Sequence, residues 1–186
     1  MSTDDRAVRT ATDTVEIQRL LPGPIDRVWQ YLVDPEKRRL WLAAGELDLR
    51  PGGVAHLRFR HAELSTGHDV PDRYRPMHDG GHDNRGTVTH CEPPHRLAWT
   101  WGHAPGDMSE VDITLATEGD HVHLRLVHRR LDADTMPGVA AGWHTHLDIL
   151  RARLRGETPA DFWIAYVAHE AGYRTASLPR RDADPG

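Results

Sequence analysis

The stretch from Met136 to Glu157, MPGVAAGWHTHLDILRARLRGE, constrains the fold more than any other part of the chain. Read at 3.6 residues per turn, it sets Trp143, Leu147, Leu150 and Leu154 on one stripe and turns His144, Asp148, Arg151 and Arg155 away, toward solvent. A helix of this kind must lay its apolar stripe on something. The chain from Thr14 to Arg130 supplies the surface, because it reads mainly as short alternating segments with one dry face each. The expectation is an α+β fold in which a curved antiparallel sheet wraps around the long C-terminal helix.

Taken in order, residues 1–13 are polar and poor in bulky apolar side chains, and are expected to be mobile. The segment VEIQRLL makes a first strand, broken by Pro22-Gly23-Pro24. Two short helices follow: IDRVWQYLV, with Ile25, Val28, Trp29 and Leu32 on one face, and EKRRLWL after Asp34-Pro35. Pro51-Gly52-Gly53 turns a hairpin between 47–49 and 54–61. Residues 62–84 show no usable periodicity and read as one long loop, a form that is often a lid or a binding loop. Further hairpins span 85–102 and 109–128. After the long helix, ADFWIAYVAHEAGY offers one more short helix that docks on the body or on a partner, and the end from Ser177 reads as frayed. The division is a flexible start (1–13), one domain (14–157) and a C-terminal extension (158–186).

The 186 residues suffice for a real core without disulfides, and the single cysteine, Cys91, forbids an internal one. Net charge is −5 and the basic residues are dispersed, so neither nucleic acid nor an anionic membrane is expected as a partner. No apolar run approaches the roughly 20 residues of a membrane helix, and the N-terminus lacks the apolar core of a signal peptide, so a cytoplasmic location is expected; the expected assembly is a monomer or a homodimer.

Several segments carry a resemblance: DPEKRRLWL (34–42), RPGGVAHLRF (50–59), GTVTHCEPPHRLAWTW (86–101), LRLVHRRL (124–131) and GWHTHLDILRARLRGE (142–157). Their order resembles the START-like helix-grip superfamily, which includes polyketide cyclases and the birch-pollen allergen fold. More narrowly it is similar to the bacterial family related to the C-terminal domain of the heat-shock-protein-90 ATPase activator. The resemblance implies an apolar cavity between sheet and helix and no fixed catalytic set.

On the residues themselves, Leu57, Phe59, Val88, Trp99, Trp101, Ile113, Leu126, Trp143, Leu147 and Leu150 fall on inward faces, with Leu97 beside them. Bulky apolar groups around a few polar ones are what a small-molecule pocket needs. His90, His128 and His146 are the candidate polar groups, and His128 and His146 join the expected ligand-binding set. No metal site is expected: His61, His68, His78 and His82 with Asp69, Asp72, Asp79 and Asp83 read as a solvated loop, and His144 with Asp148 as a solvent-side pair. No cofactor or catalytic residue is expected either. There is no Gly-x-Ser-x-Gly elbow, and His90 and Cys91 are strand neighbours that point to opposite faces. The expected function is binding of a hydrophobic, aromatic or polyketide-type molecule, with sequestration or self-resistance in a natural-product pathway as its context. The alternatives are a polyketide cyclase or aromatase using pocket histidines, and a chaperone co-factor-like interaction module.

Overall fold

Among the described residues, eight strands form one antiparallel sheet in the order β1-β2-β8-β7-β6-β5-β4-β3. The structure, a computed structural model, describes residues 5–67, 69–102, 108–175 and 178. The strands are β1 (Val8–Ala11), β2 (Thr14–Pro22), β3 (Ala44–Leu47), β4 (Val54–Phe59), β5 (His82–Glu92), β6 (Arg96–Trp101), β7 (Ser109–Glu118) and β8 (His121–Arg129). Helices α1 (Ile25–Val33) and α2 (Pro35–Arg38) follow β2, α3 (Arg75–Gly80) precedes β5, and α4 (Met136–Arg155) and α5 (Phe162–Thr175) follow β8.

The two short helices are organised by their own polar residues. The Asp34 carboxylate accepts hydrogen bonds from the backbone N–H groups of Glu36 and Lys37, capping α2 where its donors have no helical partner. Arg38 is buried and donates to the carbonyls of Val33, Ala43 and Gly45, so it locks α1, α2 and β3 together. Its burial pulls the guanidinium pKa down to about 10.

Helix α4 ends at Gly156, whose backbone is left-handed (φ 71°) and whose N–H caps the Ala152 and Arg153 carbonyls. Leu147, Leu150 and Leu154 join Ile17, Leu124 and Leu126 in the core, so the apolar stripe lies against the sheet as expected. Burying each of these side chains contributes about 2 kcal/mol.

Three expectations need correction. The segment read as mobile contains β1, whose Val8–Ala11 pairs with Glu16–Thr14 of β2; Met1 to Asp4 lie outside the described residues. The segment read as one loop contains single 3-10 turns at His61–Glu63 and Asp72–Tyr74, helix α3, and the start of β5. Each piece is too short to show a period, and His82 to Asn84 become a strand because they pair with Phe59 to Leu57. His90 leaves the inner face. A register shift between Val88 and His90 puts one extra residue in β5, so Cys91 packs on the core while His90 turns outward beside Glu92.

Candidate functional site

A cavity of about 560 Å³ opens beyond the strand ends, between the N-terminal half of α4 and α5. Strand register brings its inner wall together. Phe59 ends β4 directly opposite His82, which opens β5, and their rings stack at 4.4 Å. Trp101 ends β6 within 5.6 Å of the Trp143 ring on α4 and 5.7 Å of His128 on β8. Helix α5 closes the other side: Phe162 lies 4.6 Å from His61 and 5.1 Å from His146.

Room between the two helices comes from Gly138 and Gly142 on α4. A Cβ at Gly142 would stand 4.0 Å from the Tyr166 ring, and one at Gly138 would stand 3.2 Å from the Tyr166 hydroxyl. Larger residues on this face would fill the space that the cavity occupies.

The hydrogen bonds fix the state of two cavity histidines. The Trp143 indole N–H can only donate, so His128 Nδ1 (3.0 Å) must accept and His128 carries its proton on Nε2. That N–H donates to Ser109 Oγ at 2.7 Å, and the Ser109 hydroxyl donates to the Trp101 carbonyl. His128 is thereby satisfied by the protein itself. His146 differs: Nδ1–H donates to the Trp41 carbonyl at 2.7 Å, which leaves Nε2 as a bare acceptor. Among the described residues the His61 side chain makes no hydrogen bond, and its Nδ1 is buried without a partner.

Burial keeps these imidazoles neutral. It lowers His128 to about 3 and His146 to about 4, the latter against the opposing pull of the Trp41 carbonyl. His61 is lowered to about 2 by burial and then by the neighbouring His146, His82 and His78.

The rim is polar. Glu170, on α5, is buried and accepts from Tyr74 at 2.6 Å, Arg73 at 2.7 Å and Arg174 at 3.0 Å. Burial alone would raise this carboxyl, but the hydrogen bonds from Tyr74 and Arg174 hold it below its ordinary value. Tyr74 also stacks on Trp163 at 4.9 Å, and the Trp163 N–H donates to His78, so the segment around α3 is fastened to α5.

Of the residues expected around a ligand, Phe59, Trp101, His128, Trp143 and His146 border the cavity. Leu57, Val88, Trp99, Ile113, Leu126, Leu147 and Leu150 do not border it and are packed in the core. They share the correct inward parity, but lie along the sheet away from the strand ends where the cavity opens. Leu42, His61, Tyr74, His82, Phe162, Trp163 and Tyr166 border it without having been singled out as ligand contacts. The aromatic cluster of α5 was the available signal.

His144 and Asp148 are not a solvent-side pair. His144 is buried, with Nδ1 2.7 Å from the Tyr173 hydroxyl, and its ring stacks on His169 at 3.7 Å and 13°. Arg19 and Arg151 both donate to Asp148 Oδ1. Helix α5 and the N-terminal segment cover this face, which a helical wheel alone does not reveal. His144, Asp148 and His169 bring metal-ligand atoms within 4.8 Å of one another. A metal lies in the plane of each imidazole that holds it, so one ring would have to turn out of the stack before both could reach one ion. Among the loop groups, Asp83 pairs with His56 at 3.1 Å, and His68 lies outside the described residues.

A sheet gripping a long C-terminal helix, with an aromatic cavity at one end, defines a helix-grip domain. The model of the family described as Activator of Hsp90 ATPase homolog 1-like protein matches residues 22–155, and the chain belongs to that family. Among solved structures, the protein encoded by gene BPP1335 from Bordetella parapertussis is 38% identical over 96% of both chains, with a TM-score of 0.76. CalU16 from Micromonospora echinospora is 25% identical, covering 92% of this chain and 93% of its own, with a TM-score of 0.66. Protein MLL2253 from Mesorhizobium loti, 22% identical over 77% of this chain and 96% of its own at a TM-score of 0.60, shares the fold. No curated protein matches. The family match ends before α5, yet the BPP1335 alignment leaves too few residues uncovered to omit that helix. No helix among the described residues is long and apolar enough to cross a membrane.

Proposed function

We propose that the protein binds a hydrophobic, aromatic or polyketide-type small molecule in the cavity between the sheet ends, α4 and α5. The observation that carries this reading is the void itself: about 560 Å³ walled by aromatic rings and neutral imidazoles, within the size range of small-molecule sites. Desolvation against Phe59, Trp101, Trp143 and Phe162 supplies affinity, while the few polar edges orient the ligand. The segment carrying Arg73, Tyr74 and His78 covers the outer side. Binding without turnover, as in sequestration or self-resistance, accords with His128 having both ring nitrogens engaged by Trp143 and Ser109.

Native mass spectrometry of protein isolated from its own host tests the proposal. A retained small molecule is expected in the wild type and none in Gly142→Leu, whose side chain enters the cavity. A ligand retained equally by Gly142→Leu would place binding elsewhere.

A further inference from the structure

We propose that the ligand is an uncharged fused-ring aromatic bearing a hydroxyl, which donates its proton to the bare Nε2 of His146, with His61 as its second polar contact. This inference rests on the cavity being the ligand site.

Three observations carry it. First, His146 is locked into one tautomer by the Trp41 carbonyl, so it offers the cavity an acceptor and not a donor. A ligand hydroxyl matches that polarity; a carbonyl or ether oxygen does not. Second, His61 is only 5% exposed and borders the cavity, and its side chain has no hydrogen-bond partner among the described residues. A buried polar group left unpaired is costly, and a partner arriving with the ligand would remove that cost once the ring turns its nitrogen to the cavity. The two imidazole centroids are 5.9 Å apart, close enough for substituents on one ring system to reach both. Third, the charges bordering the cavity cancel: Arg73 and Arg174 are both held by Glu170, and Asp134 adds a second carboxylate. Asp134 is exposed to water at the rim, so an ionised ligand would find no free counter-charge among the inner rings, and burying it unpaired there would cost more than the aromatic walls return.

The histidines that face the proposed hydroxyl stay neutral across the physiological range, so binding is expected to be flat between about pH 5.5 and 8. His61, His82, His128 and His146 are the titratable groups of the inner wall, His78 stands behind it on the Trp163 indole, and Arg73, Tyr74, Asp134, Tyr166, Glu170 and Arg174 are those of the rim.

The test uses four pyrenes that differ in one group: 1-hydroxypyrene, pyrene, 1-pyrenecarboxylate and 1-pyrenemethylamine. Each is titrated into the full chain while energy transfer from tryptophan is followed. The hydroxyl compound is expected to bind about tenfold more tightly than pyrene, and both charged compounds more weakly than it. In His61→Phe the preference for hydroxyl over hydrogen should shrink about threefold while the thermal midpoint holds or rises, since this variant breaks no hydrogen bond. Equal binding of 1-hydroxypyrene and pyrene, or tightest binding by either charged compound, would overturn the inference and leave the ligand site standing. An unchanged preference in His61→Phe would remove His61 from it. Failure of all four to bind would remove the aromatic-ligand reading, and this inference with it.

Discussion

The two sides of α4 bury histidine in opposite ways. On one side, His144 is held by Tyr173, His169 and Asp148, and Asp148 in turn by Arg19 and Arg151, so every polar group has a protein partner. On the other side, His146 keeps one nitrogen bare and the His61 side chain has no hydrogen-bond partner among the described residues, next to an open volume. The first side is a network that ties the N-terminal segment and α5 to the helix; Asp5 reaches Arg151, and the Ala7 N–H donates to Tyr173. The second side is incomplete as a piece of protein. Polar groups fully satisfied within the fold specify structure, whereas those left unsatisfied beside the void are, in the proposed function, completed by a ligand.

Acid should break both sides at once, with the largest effect. His61, His128, His144 and His146 have folded pKa values of about 2, 3, 3 and 4, all below the ordinary 6.5. For His144 the lowering comes from burial, then from Arg19 and His169. The folded protein therefore binds fewer protons than the unfolded chain, so their stabilisation is complete above about pH 6.5 and is lost as pH falls toward the folded values. Each is expected to remove on the order of 2 kcal/mol by pH 5, read by urea unfolding across pH. A flat stability profile from pH 7 to 5 would contradict the neutral, buried assignment.

The network side is sharpened by Asp148→Ala. It strips Arg19, whose side chain is fully buried, of its nearest carboxylate and should cost about 3 kcal/mol in the same assay. Asp5 remains as a second partner for Arg19 and Arg151, which keeps the cost at the lower end for a broken buried pair. Ligand affinity should be unchanged at neutral pH. Tyr173→Phe is milder: the Ala7 N–H loses its acceptor and His144 its hydroxyl partner, for about 1–2 kcal/mol of denaturation free energy. On the cavity side, His61→Phe should be neutral or slightly stabilising in thermal unfolding, because it replaces an unpaired polar ring with an apolar one among aromatics. A large loss of stability there would show that His61 serves the fold in the way His144 does.

The sheet and its grip on α4 were legible because their signals are long and regular. Residues 136–157 carry several turns of apolar period, and Leu97, Trp99 and Trp101 or Val111, Ile113 and Leu115 repeat at two. Parity identified which face of each strand is dry but not how far along the strand the packing stops, so Phe59 and Trp101 could not be told from Leu57 and Trp99. His90 defeated parity altogether, because one extra residue in β5 reverses it. Helix α5 escaped assignment to the site because FWIAYVA is apolar on all sides, and such a segment announces burial without naming its neighbour. The wheel of α4 placed His144 and Asp148 opposite the apolar stripe. That α5 and the N-terminal segment around Asp5 and Ala7 would cover them depends on contacts from both ends of the chain.

The central claim is that the cavity side, and not the network side, receives the ligand. The chain carries its own reporters, since Trp101, Trp143 and Trp163 border the cavity whereas Trp29, Trp41 and Trp99 do not. Titration of 15N-labelled protein with 1-hydroxypyrene, followed at the six indole N–H signals and at the imidazole signals of His144 and His169, is therefore the most direct measurement. The expected result is large shifts at Trp101, Trp143 and Trp163, with the imidazole signals of His144 and His169 unmoved. Saturable binding that moves His144 and His169 while leaving Trp101 and Trp143 in place would contradict it.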